Sequence, residues 1–364
     1  METRHLPHLR MGLHAQFRRL PDPVPDAGTI KQRLAYFAQN GVSGIFFNGS
    51  GYDYASLDDV QTYVLSALLL TDRVDINTLT RGYLRRFYPQ SADILYPYLA
   101  TLEQRVADKR TTLPYYGGIE ESIAAYLNPT ELAAFVASLS RRSKGIEGEE
   151  RTRLNRLLTA LNFTMLELMR TPQGLPYDSL AVENALYDLQ GYTHFADMTQ
   201  YREANGTLES YLAAWHRHAV RSTPPPGSIP HPITCYGAEQ QPVTRLSNRY
   251  YGLPTDYHTE WYVFRNGTLT AETRFTRNTT TLIRANFLYA PAWRIDLPDS
   301  VRIFLNDKPI LESRLPAEPN PFSTSVFRTE QSVSAGDRLK IIIVPNRQSG
   351  RSTACDEIEI YEKE

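Results

Sequence analysis

Apolar residues recur at helical spacing through much of the first 220 residues, then switch to the alternation of strands. The clearest helix covers about residues 149–170, where Leu154, Leu157, Leu158, Leu161, Met165 and Leu168 share one face. Upstream, Ser56-Leu-Asp-Asp59 reads as a capping-box-like start, with Asp in place of the usual Glu or Gln. Leu57, Val60, Val64 and Ala67 form the stripe that follows it. Asp75 is placed to cap a second helix with Ile76, Leu79 and Tyr83 inward. A third carries Leu95, Leu99, Leu102 and Val106, with Pro97 kinking its start. Asn128-Pro129 pairs an N-cap with a proline at the first helical position. A last helix near 207–220 carries Tyr211, Leu212 and Trp215. No fixed repeat is visible, which argues against a solenoid.

Ahead of these helices lies a short αβ unit. Asp26 opens a helix over about 27–40 with Ile30, Leu34 and Phe37 on one face, and Asn40-Gly41 ends it. Val42-Ser-Gly-Ile-Phe-Phe-Asn48 then reads as a buried strand, broken by Gly49, Ser50 and Gly51. Helix, tight turn, apolar strand and polar loop make one step of an α/β barrel or sheet.

After residue 233 the pattern is β-rich. Strands are expected at Glu260–Phe264, Thr268–Phe275, Thr281–Phe287, Val301–Phe304 and Leu339–Val344. In Thr353–Tyr361 the alternation of Ile358 and Ile360 with Glu357 and Glu359 predicts that one face is buried. About 130 residues of short strands suggest a sandwich. Between the two patterns, Thr223–Pro232 is rich in proline, which cannot continue a helix or enter a central strand. The expected class is multidomain α+β, in four parts: an αβ unit at 1–55, a helical domain at 56–222, a proline-rich linker at 223–232 and an antiparallel β-sandwich at 233–364.

Composition narrows the partners. With 39 basic and 40 acidic residues the net charge is −1, which argues against nucleic-acid binding by phosphate neutralisation. The longest apolar runs, such as Ala67–Leu70 and Ile341–Val344, fall far short of the roughly 20 residues a spanning helix needs. The N-terminal residues have no apolar h-region, so no signal peptide is visible. Two cysteines, Cys235 and Cys355, exclude a zinc site built on three or four thiolates. His216 and His218 are two apart on a helix, and His5 and His8 flank Pro7, so no metal spacing is present. No cofactor is expected; Gly49-Ser-Gly51 is too short for a phosphate loop. Glu120 and Glu121, at a helix start, are explained by the helix dipole.

The stretch Arg33–Asn48, the Val60–Leu70 helix and Asp75–Tyr88 together resemble a family of bacterial carbohydrate-active proteins placed beside alpha-glucuronidase-type glycoside hydrolases. That resemblance implies the end of a (β/α)8 barrel leading into a helical domain. A whole barrel takes about 250 residues, so it also implies that the catalytic carboxylates lie outside this chain. Either a missing N-terminal barrel segment or self-association would then cover the exposed barrel remnant. A second resemblance rests on Tyr251–Trp261, Asn286–Tyr289, Trp293–Pro298 with Val301–Phe304, and Ala354–Tyr361. It is to the galactose-binding-like (discoidin-type) jelly roll, common as a carbohydrate-binding module. Together the two imply a carbohydrate ligand and an extracytoplasmic location, with a non-catalytic glycan-binding or scaffold module as the alternative. In such sandwiches the first and last strands can carry a bridge, which here would join Cys235 to Cys355; two buried thiols are the other reading.

Two sets of residues are candidates for ligand contact. Asn48, Ser50, Tyr52, Asp53 and Tyr54 follow the apolar strand, where barrel active sites gather. The amide and carboxylate suit sugar hydroxyls, and tyrosine suits stacking on a pyranose. Asp53 would serve as acid or base only with a second carboxylate about 5–9 Å away; the plain alternative is a polar turn. Asp256, Tyr257, His258 and Trp261 form the second set, as a sandwich surface on which aromatic rings are flanked by polar groups. Its alternative is that Tyr257 and Trp261 pack the core.

Overall fold

The computed structural model describes residues 10–13, 27–42, 44–47, 56–71, 73–109, 119–171, 173–176, 179–196, 200–202, 206–221, 225–237, 239–254, 257, 260–315, 320–348 and 350–363. The chain divides into two compact units, Met1–Glu209 and Ser210–Glu364.

The first unit begins with β1 (Arg10–Leu13), α1 (Ala27–Gln39) and β2 (Gly44–Phe47). β1 and β2 pair in parallel, Arg10 against Gly44 through Leu13 against Phe47. Parallel neighbours need a crossover connection, and α1 supplies it. Helices follow: α2 (Asp58–Leu70), α3 (Ile76–Phe87), α4 (Ala92–Lys109), α5 (Ile119–Ala125), α6 (Pro129–Ser143), α7 (Gly148–Met169) and α8 (Ser179–Ala196). A short hairpin of β3 (Gln200–Arg202) and β4 (Gly206–Thr207) precedes α9 (Leu208–Arg221), within which the division between the units falls.

Two predicted caps are in place. Asp75 Oδ2 accepts from Thr78 N at 2.7 Å, and Asn128 Oδ1 accepts from Glu131 N at 3.1 Å. Ser56 does not cap α2. Leu57 holds that position in the left-handed region (φ 61°), and its own side chain supplies no capping hydrogen bond. Asp59 instead turns sideways and accepts from the phenols of Tyr83 (3.2 Å) and Tyr88 (2.7 Å), tying α2 to α3.

α7 is the axis of the helical core. Leu154, Leu157, Leu158, Leu161 and Leu168 are buried with Leu84, Leu95, Leu102 and Leu139. Each such side chain contributes about 1.5–3 kcal/mol by leaving water. α7 also buries polar residues, which bond back to its own backbone: Thr159 to Asn155 O (2.8 Å) and Asn162 to Leu158 O (2.8 Å). At its end Arg170 makes a bidentate pair with Glu167, at 2.9 and 2.6 Å.

The second unit is an antiparallel sandwich. One sheet runs β11 (Lys308–Ser313), β10 (Ser300–Leu305), β13 (Arg338–Val344), β8 (Leu269–Arg274), β6 (Thr234–Tyr236). The other runs β12 (Ser323–Val333), β9 (Thr279–Tyr289), β14 (Thr353–Lys363), β5 (Ser228–His231), with β7 (Tyr262–Phe264) also on β14. Phe287, Ile283, Ile358 and Ile360 of one sheet pack with Leu269, Ile303, Ile341 and Ile343 of the other.

One expectation is corrected here, and the cysteine pair follows one of its two readings. Part of the proline-rich segment is not a spacer: Ser228–His231 pairs with Lys363–Ile360. It is an edge strand, where Pro230 breaks no second ladder. The Glu face of β14 is buried as well as the Ile face, with Glu357 and Glu359 2% and 8% exposed. Residues from the 244–261 stretch lie over it, with Tyr251 bonding Glu359 and the Gly252 amide bonding Asp356. The cysteines do not bridge. Both are buried free thiols, directed at the carbonyls of Leu246 (3.9 Å) and Glu357 (3.8 Å).

Candidate functional site

The outer face of β14 is built on a bulge. Cys355 pairs with Phe287 and Ile358 with Ala285, so Asp356 and Glu357 together oppose the single residue Asn286. An extra residue of this kind re-aims side chains. Asp356 takes the Asn286 amide on both oxygens, at 2.7 Å each, and the Gly252 N–H at 3.0 Å. Glu359 accepts from the phenols of Tyr251 and Tyr361 and faces Arg284 Nε at 3.5 Å. Burial, then the Glu359 charge, pushes the Tyr251 phenol far above its ordinary range. Burial pushes the Glu357 carboxyl up to about 10, opposed by a backbone N–H from Arg249 and reinforced by Asp356, Glu359 and Glu260.

This polar floor fixes the segment that carries Tyr257. Trp261 stands beside the floor, 2% exposed, and its Nε1 donates to Leu253 O at 3.0 Å. Gly252 is required beneath it, because a Cβ there would lie 2.2 Å from Trp261 Nε1. Trp261, Leu288, Ala290, Ile295 and Ala354 form a small core, and on its outer side lie three half-buried rings: Tyr257, Trp293 and Phe322. Tyr257 and Trp293 have centroids 5.0 Å apart at 52°, and Trp293 meets Phe322 at 4.7 Å and 71°.

The turn bearing Trp293 is held firmly. Arg351 Nη1 donates to Pro291 O at 3.1 Å, and its Nε faces Asp296 at 3.3 Å. The amides of Asp296 and Ser352 bond Ser352 O and Arg294 O, each at 2.9 Å. Arg294 and Phe322 both have φ 58°. A bulky residue in this region is strained, and such strain persists where surrounding structure over-determines it. The result is a preset platform of rings flanked by an arginine–aspartate pair, able to stack on a flat apolar face while bonding polar groups at its edge.

Of the residues nominated from sequence, Tyr257 joins this platform. Trp261 does not; it is a core residue, because its indole is closed off by Gly252 and Leu253. Asn48, Ser50, Tyr52, Asp53, Tyr54, Asp256 and His258 lie outside the described residues. Trp293 and Phe322 were not nominated. They lie 36 and 65 positions beyond Tyr257 and meet it only in the folded sandwich. Trp293 lay within the resemblance at Trp293–Pro298, whereas nothing in the sequence pointed to Phe322. Glu120 and Glu121 sit in the first turn of α5. Among the described residues, no group of three or more His, Cys, Asp or Glu side chains is arranged to hold a metal ion. No described helix is long and apolar enough to cross a membrane.

Residues 11–100 match the model of DUF4838, a domain of unknown function. That match covers most of the stretch in which the first resemblance lies. No curated protein matches the chain. Among solved structures, the chain is similar to a family GH115 4-O-methyl-alpha-glucuronidase, BtGH115A, described as specific for decorated arabinogalactans. Identity is 9% and the TM-score 0.34, over 98% of this chain and 51% of that one. The chain thus spans about half the length of that protein. A family 35 carbohydrate binding module from an environmental isolate aligns at 12% identity and a TM-score of 0.20, over 27% of this chain and 66% of that one. Another, from Clostridium thermocellum, aligns at 12% and 0.20, over 27% and 71%.

Proposed function

We propose that this chain is the C-terminal portion of a glycoside-hydrolase-like polypeptide that acts outside the cytoplasm, and that its sandwich binds the carbohydrate. The single observation that carries this reading is the platform of Tyr257, Trp293 and Phe322. Rings presented on a rigid turn beside Arg351 and Asp296 suit a pyranose, whose C–H faces stack on aromatics and whose hydroxyls need donors and acceptors at the rim.

The catalytic carboxylates belong, in this reading, to barrel strands that this chain does not supply. The β1–α1–β2 unit favours that assignment. Among the described residues the parallel sheet has two strands, too few to stand alone, and parallel sheets are ordinarily covered on both faces. Beside it Leu69 and Leu70 are 50% and 87% exposed. Further βα units, or a second copy of the chain, would cover them.

A glycan array probed with the intact protein and with Trp293→Ala tests the reading. Binding to a defined set of polysaccharides, lost in the variant, is the expected result. An array with no bound glycan overturns it. Hydrolysis by this chain alone would overturn the placement of the catalytic groups elsewhere, and glycan binding without hydrolysis by any longer form would leave the non-catalytic module.

A further inference from the structure

Ile283, Ala285 and Phe287 of β9 and Phe327 and Val333 of β12 point into the sandwich core, so the alternate positions of both strands form its outer face. There Asn286 lies beside Val326, Arg284 beside Arg328 and Leu282 beside Glu330. The segment that bonds the outer face of β14 through Tyr251 and Gly252 leaves β12 open: Val326 is 42% exposed, and Arg328 and Glu330 are exposed. Phe322 of the aromatic platform immediately precedes β12. At about 3.3 Å per residue, Arg328 lies roughly 20 Å farther along the strand.

Arg284 and Arg328 are directly opposed, a register that sets Cβ atoms about 4.5–5.5 Å apart and places like charge against like. The carboxylates of this face are engaged elsewhere. Glu330 is held by Lys363 at 2.7 Å, and Asp356 by Asn286 and Gly252. Glu359 accepts from two phenols and stands 3.5 Å from Arg284 Nε, beyond the ordinary hydrogen-bond range. Among the described residues no acceptor takes the other N–H groups of Arg284, or any of Arg328. Arg274 and Arg338 are opposed in the same way, but there Arg338 is paired with Asp307.

We propose that a glycan seated on the platform continues along the outer face of β12, and that Arg284 and Arg328 together receive an oxyanion substituent on it, a carboxylate or a sulfate ester. This rests on the reading of the platform as a glycan site and names the class of glycan: an acidic polymer, bound along its length. A guanidinium presents its donors as a fixed fork that matches such an anion with two parallel bonds. An anion shared by two forks removes the repulsion that the register builds in. Val326 gives an apolar surface between the rings and the arginines. A general attraction for polyanions is not the explanation, because the net charge of the chain is −1.

Titration calorimetry on the whole chain in about 0.15 M salt, where distant charges are screened, tests this with two matched pairs of probes. Oligogalacturonate and its methyl ester read a carboxylate; dextran sulfate and dextran read a sulfate ester. At least one acidic probe is expected to bind roughly tenfold or more tightly than its neutral counterpart, and which one does so identifies the anion. Arg328→Gln, at an exposed position and checked for folding by circular dichroism, is expected to erase that preference. Trp293→Ala is expected to weaken acidic and neutral probes alike. The proposal fails if neither acidic probe is preferred, or if Arg328→Gln keeps the preference; binding of neutral glycans that Trp293→Ala abolishes would then leave the platform reading standing. Acidic binding that depends on Arg328 but is untouched by Trp293→Ala would overturn the platform reading, and with it the continuous path.

Discussion

The phenol of Tyr251 donates to Glu359 across 108 positions of sequence, fastening a turn-rich segment to the last strand of the sandwich. Both groups are buried, Tyr251 at 1% and Glu359 at 8% exposure. Tyr251→Phe keeps the ring and removes only the donor. Glu359 retains Tyr361 and Arg284, so the loss is that of one charge-assisted hydrogen bond, about 1.5–3 kcal/mol. Urea unfolding should show a lower midpoint with an unchanged slope.

The helical core and the buried floor of the sandwich differ in how much of each the sequence discloses. The row Leu154, Leu157, Leu158, Leu161 and Leu168 is local, set by one helix's own period, and all five residues are buried. Most expected strands are present for the same reason, with ends shifted by a few residues. β14 shows the limit. Its alternation of Ile and Glu correctly orients Ile358 and Ile360 inward, but alternation reports polarity, not exposure. A non-local cover, Tyr251 and Gly252, turns the polar face into an interior. β11 and β12 were missed because their buried positions are few, as in Lys308–Ser313, where no residue is fully buried. The aromatic platform was one-third legible. Tyr257 stood among polar neighbours, whereas Trp293 and Phe322 reach it through turns whose geometry depends on Arg351.

Gly252 is predicted to tolerate no side chain. In Gly252→Ala the new methyl would sit 2.2 Å from Trp261 Nε1 and 2.3 Å from Cε2, both ring atoms with no freedom to bend away. The indole must shift, breaking its bond to Leu253 O. Overpacking of this kind costs about 1–3 kcal/mol or more. A lower melting temperature with a red-shifted tryptophan emission is the expected result.

Leu158 is predicted to be the reverse case, a position that needs its full volume. It is 0% exposed in the middle of α7. Leu158→Ala leaves a cavity among neighbours that cannot collapse into it, at a cost of about 2–5 kcal/mol. Helical circular dichroism should melt earlier in the variant.

Asn128 tests the local signal alone. Its side chain bonds the Glu131 amide at the head of α6, with Pro129 at the first helical position. Asn128→Ala should cost about 0.5–2 kcal/mol, and Asn128→Ser should restore most of it, because serine also caps. Chemical denaturation of the three proteins side by side checks the order.

The sharpest dependence on pH belongs to Glu357. Its carboxyl titrates near 4.5 in the unfolded chain and is pushed up to about 10 in the folded one. Below 4.5 it is neutral in both states and costs nothing. Between those values the unfolded chain releases its proton while the folded chain keeps it, so folding stability falls as pH rises, by about 1.4 kcal/mol for each pH step. Above the folded value both states are ionised and the decline stops. Glu357→Gln removes the titration. The variant should therefore be more stable than the parent at neutral pH, on the order of a few kcal/mol, with the gain shrinking on acidification and gone near pH 4.5. Melting temperatures of both proteins from about pH 4 to 9 measure it. A difference that stays constant across that range would mean that Glu357 is ionised in the folded chain, with its charge met by a donor at Oε2.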